Sequence, residues 1–364
     1  MQVTRISKLW SHVRHWVRIH HTLSYGIGGV LLVVASAVAA YFVLYQQPLK
    51  KEPATVAVVK KEVKPEPVKY YSPLTGTLVA DEAATKQAVT AVMIENSPDA
   101  RPQSGLKDSG VVFEAIAEGG ITRFLVLYQQ EKPQLIGPVR SIRLYDAEWV
   151  AAFNASVAHV GGSAGGLVEV RNGDYRDIDQ FFNAGSYWRA TDRYAPHNVY
   201  TSFAKLDALN TAKGYTISTF TGFTRIDGKA SDVPTATQID IKLSSALYNS
   251  TYAYDKASNT YLRSQAGAPH TDREQGQIAP SVVVAMKVDE STVLQDGKRE
   301  AITTIGSGAA TIFQNGTVQE VTWHKTSKTG QVTYTDATGK DVPLVRGQTW
   351  IAAVPNGAGS VTWQ

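Results

Sequence analysis

The sequence predicts an α+β protein: a mixed α/β subdomain, then an all-β subdomain, set behind one transmembrane helix. Three observations lead there. An uncharged apolar run near the N-terminus is long enough to cross a bilayer. Residues 72–224 mix apolar runs of strand length with stretches of helical spacing. Residues 234–364 break into short alternating segments divided by turn pairs.

Residues 1–24 form a basic tail with Arg5, Lys8, Arg14 and Arg18 and no acid. His12, His15, His20 and His21 read there as solvated interfacial residues. Tyr25 to Tyr45 carries no charge, and its 21 residues reach about 30 Å at helical rise, the thickness of a hydrocarbon core. Tyr25, Tyr41 and Tyr45 sit where interfacial aromatics belong. A cleaved signal peptide competes, since Ala35 to Ala40 offers small residues, but the apolar run is longer than signal cores and favours an uncleaved anchor. The basic tail favours a cytoplasmic N-terminus; the lysines beyond the span, from Lys50 to Lys69, weaken that preference. Residues 46–71, with Pro48, Pro53, Pro65 and Pro67, read as an extended stalk.

In residues 72–224, Ala88 to Glu95 predicts a buried strand. Val111 to Glu118 and Thr122 to Tyr128 predict a hairpin turning at Gly119-Gly120. Arg143 to Phe153 has helical spacing, Ala155 to Val160 is a short strand, and Ala164 to Val170 is helical after the Gly161-Gly162-Ser163 turn. Ser202 to Lys213 is a helix with a Ser cap and a stop at Gly214. Residues 234–364 predict strands at Gln238 to Leu243, Thr251 to Tyr254, Thr260 to Arg263, Ser281 to Val288, Thr311 to Phe313, Val318 to Trp323, Val332 to Thr335 and Thr349 to Val354. Asp296-Gly297, Asn315-Gly316 and Thr338-Gly339 mark turns.

A net charge of +4 is too small and too dispersed for a nucleic-acid partner. The absence of cysteine excludes disulfides, thiolate metal sites, a thiol nucleophile and a lipid-modified cysteine. Between Ala91 and Tyr200 stand eight arginines and two lysines; from Thr201 onward there are ten lysines and five arginines. Arginine is favoured where a planar fork holds a carboxylate or phosphate. Arg101, Arg123, Arg140, Arg143 and Arg189 are therefore candidates for receiving an anion, or else for pairing with the thirteen Asp and Glu of that stretch. Glu114 and Glu118 share strand parity, so in a regular strand they face one side and could serve as acid and base. Gly161 to Gly165 matches G-x-S-x-G in a strand–turn–helix setting. Asp177, Asp179 or Asp192 and then His197 follow in hydrolase order, but the downstream all-β chain argues against that fold. The same turn offers N–H groups to an anion at a helix start. His159, His197 and His270 lack metal-ligand spacing, so no metal or cofactor is expected.

Taken in order, these segments resemble the YerB-like family of bacterial envelope proteins, a domain of unknown function with N- and C-terminal subdomains. The resemblance is carried by Pro73-Leu74-Thr75-Gly76, Val92-Met93-Ile94-Glu95-Asn96, Arg101-Pro102-Gln103-Ser104-Gly105-Leu106 and the block Glu114 to Phe124. It continues in Ile136-Gly137-Pro138-Val139-Arg140-Ser141, His159-Val160-Gly161-Gly162-Ser163 and Arg193-Tyr194-Ala195-Pro196-His197-Asn198. The β-rich part adds Tyr261 to Gln265, Pro269-His270-Thr271-Asp272, Gly306-Ser307-Gly308 and Gly347-Gln348-Thr349-Trp350. It implies an extracytoplasmic body and supplies no reaction. Family members are often lipoproteins; this chain has no cysteine and would use its helix instead.

Three functions are open to such a body. It could bind an anionic cell-wall polymer or peptide through Arg101, Arg123, Arg140, Arg143, Arg189, Gly161, Gly162, Ser163, His197 and Asn198. It could be an envelope hydrolase using Glu114, Glu118, His159 and His197. It could be a platform for other envelope proteins, using its β-rich part.

Overall fold

The computed structural model describes residues 3–45, 68–292 and 300–364. It divides into two units, Met1–Glu66 and Pro67–Gln364. In the first unit, α1 (Val3–Ile19) precedes α2 (His21–Tyr45). Val3–Ile19 of the tail expected over residues 1–24 is thus helical, and the apolar helix begins four residues before Tyr25. Most of the expected stalk, and the Asp296-Gly297 turn, lie outside the described residues. The stalk's expected end at residue 71 is too late, because Tyr70–Tyr71 already pairs with Leu78–Val79.

The body is built on a ten-stranded sheet. Its first strands are β1 (Thr90–Glu95), β2 (Val111–Glu118), β3 (Ile121–Tyr128), β4 (Ser156–Ala158) and β5 (Arg176–Asp177). Helix α3 (Leu144–Val150) precedes β4, α4 (Ala164–Asn172) follows it, and α5 (Phe203–Ala212) ends this half. Next come β6 (Gln238–Lys242), β7 (Ser250–Asp255), β8 (Thr260–Gln265), β9 (Ala268–Pro269) and β10 (Val282–Val288). The chain closes with β11 (Gly306–Gln314), β12 (Thr317–Lys325), β13 (Thr333–Thr335), β14 (Thr349–Pro355) and β15 (Ser360–Trp363). The large sheet runs β13-β12-β11-β10-β14-β2-β3-β1-β4-β5, and a second sheet runs β9-β8-β7-β6-β15.

The two sequence regions share one sheet: β14 lies parallel to β2, with Thr349 opposite Val111. β2 and β3 form the expected hairpin. Gly119 and Gly120 have φ of 57° and 77°, the left-handed pair that a tight hairpin turn demands.

Strand alternation sorts the core onto two faces. Ala91, Met93, Phe113, Leu125 and Leu127 pack with Tyr145 and Trp149 of α3. Val92, Ile94, Val112, Phe124 and Val126 pack instead with Phe203 and Leu206 of α5 and with Ile239, Ile241, Tyr252 and Tyr261 of the second sheet. On the α3 face, Phe113 stacks on Trp149 with ring centroids 5.2 Å apart.

Phe113→Ala should lower the unfolding free energy of the body by about 3–5 kcal/mol in urea denaturation, through lost transfer energy and a cavity. A loss below about 1 kcal/mol would mean that α3 does not pack tightly on the sheet.

Candidate functional site

Seven strands of the large sheet run in one direction: β1, β2, β4, β5, β10, β12 and β14. The carboxyl ends of parallel strands leave a crevice where ligands commonly bind. Glu95, Glu118 and Asp177 close β1, β2 and β5, and His159 follows β4, so the topology collects these polar residues at one edge.

At that edge Glu118 is shared by two arginines. Arg123 Nη2 lies 3.0 Å from its Oε1, and Arg143 Nη2 bonds to its Oε2. Each guanidinium also donates to a carbonyl, of Ser141 and Ile142 respectively. Burial pushes the Glu118 carboxyl up, but the two guanidiniums outweigh it and hold it below its ordinary value. A carboxylate so held is a poor proton donor. Beside it Glu95 is shared by Arg140, whose Nε lies 3.2 Å from Oε1, and His197, whose Nδ1 lies 3.0 Å from Oε2. His197 Nδ1 is also 3.1 Å from Ser97 Oγ.

The Gly161–Ser163 turn sits at the same edge and is spoken for. Gly161 takes φ of 60°, and a Cβ at Gly162 would stand 2.9 Å from the Ile142 carbonyl. Gly161 N–H donates to Asp179 and Ser163 N–H to Ile142. Ser163 caps α4 by accepting from Gly166 N–H. The hydrolase order therefore does not assemble: His159 faces Asp177 and the Gly161 carbonyl, while His197 faces Glu95 and Ser97.

Two loops, 96–102 and 189–198, are clasped together above Glu95. Arg193 donates to the carbonyls of Asp99 and Pro102, Arg101 to those of Asn96 and Leu247, and Arg189 to Asn198 Oδ1 at 2.7 Å. Asn198 Nδ2 in turn donates to Ala190 and Arg193 carbonyls and shapes the loop. These three arginines are held by neutral oxygens; among the described residues none has a carboxylate within ion-pair distance. Burial pulls the Arg101 guanidinium below its ordinary value. Phe181, Phe182 and Tyr194 are 68%, 72% and 91% exposed on the adjoining chain.

Glu114 lies elsewhere. The shared parity expected for Glu114 and Glu118 fails because a bulge between Ile116 and Glu118 shifts the register of β2 against β3. Glu118 turns to the α3 face and Glu114 stays on the face of the second sheet. There it is fully buried and accepts from Arg263 Nη2 at 2.8 Å, Trp350 Nε1 at 2.9 Å and Thr122 Oγ1 at 3.2 Å. Arg263 also bonds Tyr252, Gln265 and His270 Nδ1. His270 Nε2 meets Gln103 Oε1 at 2.9 Å, and Gln103 Nε2 donates to Glu95 O and Asn96 Oδ1. One set of protons satisfies this chain: neutral His270 accepts at Nδ1 and donates at Nε2. Burial and the Arg263 charge both push His270 well below its ordinary value. Arg263 had one sequence signal, its place among Tyr261 and Gln265 at the inward positions of an alternating strand.

Two family models match the chain: "Protein of unknown function (DUF3048) N-terminal domain" over residues 74–216, and the corresponding C-terminal domain over residues 239–351. "Putative lipoprotein YerB" of Bacillus subtilis (strain 168) is 34% identical over 309 residues, covering 83% of this chain and 91% of its own length. The crystal structure of YerB from Bacillus subtilis matches with a TM-score of 0.72 at 32% identity, covering 81% of this chain and all of that one.

Glu114→Ala should destabilise the body by about 3–5 kcal/mol, because Arg263 is left buried and uncompensated. Glu114→Leu with Arg263→Met should recover most of that loss in urea denaturation. If the double variant is no more stable than Glu114→Ala, the ion pair is not what couples these strands. His270 also makes a pH prediction. Its folded pKa is depressed, so its contribution is present above about 6.5 and is lost as pH falls toward the folded value. Wild type should therefore lose up to about 1.4 kcal/mol per pH unit more than His270→Gln below about pH 6.5. Asp146 and Glu290, which burial pushes up to about 7, titrate in both proteins and cancel in the difference. Parallel curves would refute a neutral buried imidazole.

Proposed function

The chain belongs to the DUF3048, or YerB-like, family, and from that premise we propose that it is a membrane-tethered envelope protein that binds an anionic envelope ligand. Its lipoprotein relative and its apolar helix α2 support an anchored, extracytoplasmic body. This sequence holds no cysteine to carry a lipid, so α2 serves as the anchor, with the basic N-terminus in the cytoplasm.

One observation carries the ligand reading: Arg101, Arg189 and Arg193 are positioned by neutral oxygens, so their charge is placed but not cancelled. A carboxylate or phosphate entering between the two clasped loops would meet prearranged forks. Arg123 and Arg143 are instead consumed by Glu118 and serve to hold the edge in shape. Arg140, half-buried beside Glu95, and His197 flank the entrance. The exposed Phe181, Phe182 and Tyr194 favour a second reading, a protein partner seated on the same loops.

The soluble body should bind isolated anionic wall fragments with an affinity that falls as salt rises. Arg189→Ala with Arg193→Ala should weaken that binding about tenfold or more, and Phe181→Ser with Phe182→Ser should leave it nearly intact. Salt-insensitive binding that survives loss of both arginines would sink the anionic-ligand reading and leave the aromatic surface as the contact.

A further inference from the structure

Helix α1 is amphipathic in a way that a solvated tail is not. Leu9, Trp10, Val13, Trp16 and Val17 follow the i, i+3, i+4, i+7 pattern and lie within one stripe of the helix. Ser11, Arg14, His15 and Arg18 lie on the other side. The apolar stripe is open: Trp10 is 60% and Trp16 44% exposed. No acid occurs before Glu52. At the bend between the helices, His20 N–H bonds Trp16 O and the His20 carbonyl accepts from Ser24 N–H. Along this bend runs an open groove of about 1030 Å³, lined by Trp10, Val13, Arg14, Arg18, His21 and Tyr25 among others.

We propose that α1 is a second membrane-binding element, lying on the anionic phospholipid surface of the same leaflet through which α2 enters. The proposal rests on the reading of α2 as the anchor. Only one residue separates the two helices, so the C-terminal end of α1 lies at the bilayer interface. Its arginines bar it from the hydrocarbon core, and its open tryptophan stripe is ill-suited to water. The interface satisfies both: apolar side chains enter the acyl boundary, and Arg14 and Arg18 meet lipid phosphates. Charge complementarity selects an anionic lipid surface over a second copy of this chain, whose α1 would bring a like-charged face. Bound this way, α1 fixes the rotation and depth of α2, which a featureless apolar helix does not specify by itself.

The chain holds no cysteine, so spin labels can be placed singly on the full-length protein through Val13→Cys, His15→Cys and, within the span, Val34→Cys. In phosphatidylglycerol-rich vesicles the Val13 label should be oxygen-accessible and protected from an aqueous nickel reagent, with a ratio several-fold above that of the His15 label. Adding Arg14→Glu and Arg18→Glu, or using pure phosphatidylcholine, should shrink that difference. If the Val34 label is in lipid while Val13 and His15 are equally nickel-exposed, α1 stands off the surface and the inference fails with the anchor intact. Dipolar broadening at Val13 that disappears on dilution with unlabelled chain would assign the stripe to a second copy and also overturn it. A nickel-exposed Val34 label would remove the anchor, and the inference with it.

Discussion

The body depends on one buried charge pair. Arg263 of β8 reaches from the second sheet into the face of the large sheet and meets Glu114 of β2, with neither side chain exposed. Its guanidinium lies 4.5 Å from the ring of Trp350, which itself donates to Glu114. Three strands that are far apart in sequence are thereby held at one point. Removing two charges from water is costly, and their attraction offsets this only if geometry and remaining hydrogen bonds are complete. Here Tyr252, Gln265 and His270 take three of the four remaining guanidinium N–H groups, and Thr122 and Trp350 donate to the carboxylate. The pair therefore acts less as a source of stability than as a lock on how one sheet sits upon the other, since any shifted packing would strand a charge.

That lock extends to the outer edge. His270 Nε2–H donates to Gln103 Oε1, and Gln103 Nε2 donates to the backbone of Glu95 and the side chain of Asn96, which begin the loop carrying Arg101. The clasped loops are thus tied to the core by an unbroken series of hydrogen bonds. Rigid support of this kind is what allows arginines to be held without carboxylate partners, because each neutral oxygen that bonds them is itself fixed. The opposite solution appears a few residues away, where Arg123 and Arg143 share the carboxylate of Glu118 and are held in place by it. The same residue type serves two ends, and the partner decides which.

The N-terminal unit, Met1–Glu66, follows a separate logic. Between α1 and α2 the composition changes from alternating apolar and basic to uniformly apolar, and the solvent preferred by each changes with it.

Much of this was legible in the chain itself. The apolar span, the β2–β3 hairpin with its paired glycines, the capped helix α5 and the short strands of the second half are local patterns, set by bilayer thickness, left-handed turn geometry and side-chain alternation. The stripe of α1 obeys the same periodicity and was equally readable, although four basic residues made it look like a simple tail. What the tertiary structure alone decided is which charges meet. The bulge that sends Glu118 and Glu114 to opposite faces, the pairing of Glu114 with a residue 149 positions away, and the sharing of one sheet by both halves all arise from contacts between distant segments. Strand periodicity specifies a face only while the register is unbroken, and no local pattern of residues encodes which distant strand will lie across from it.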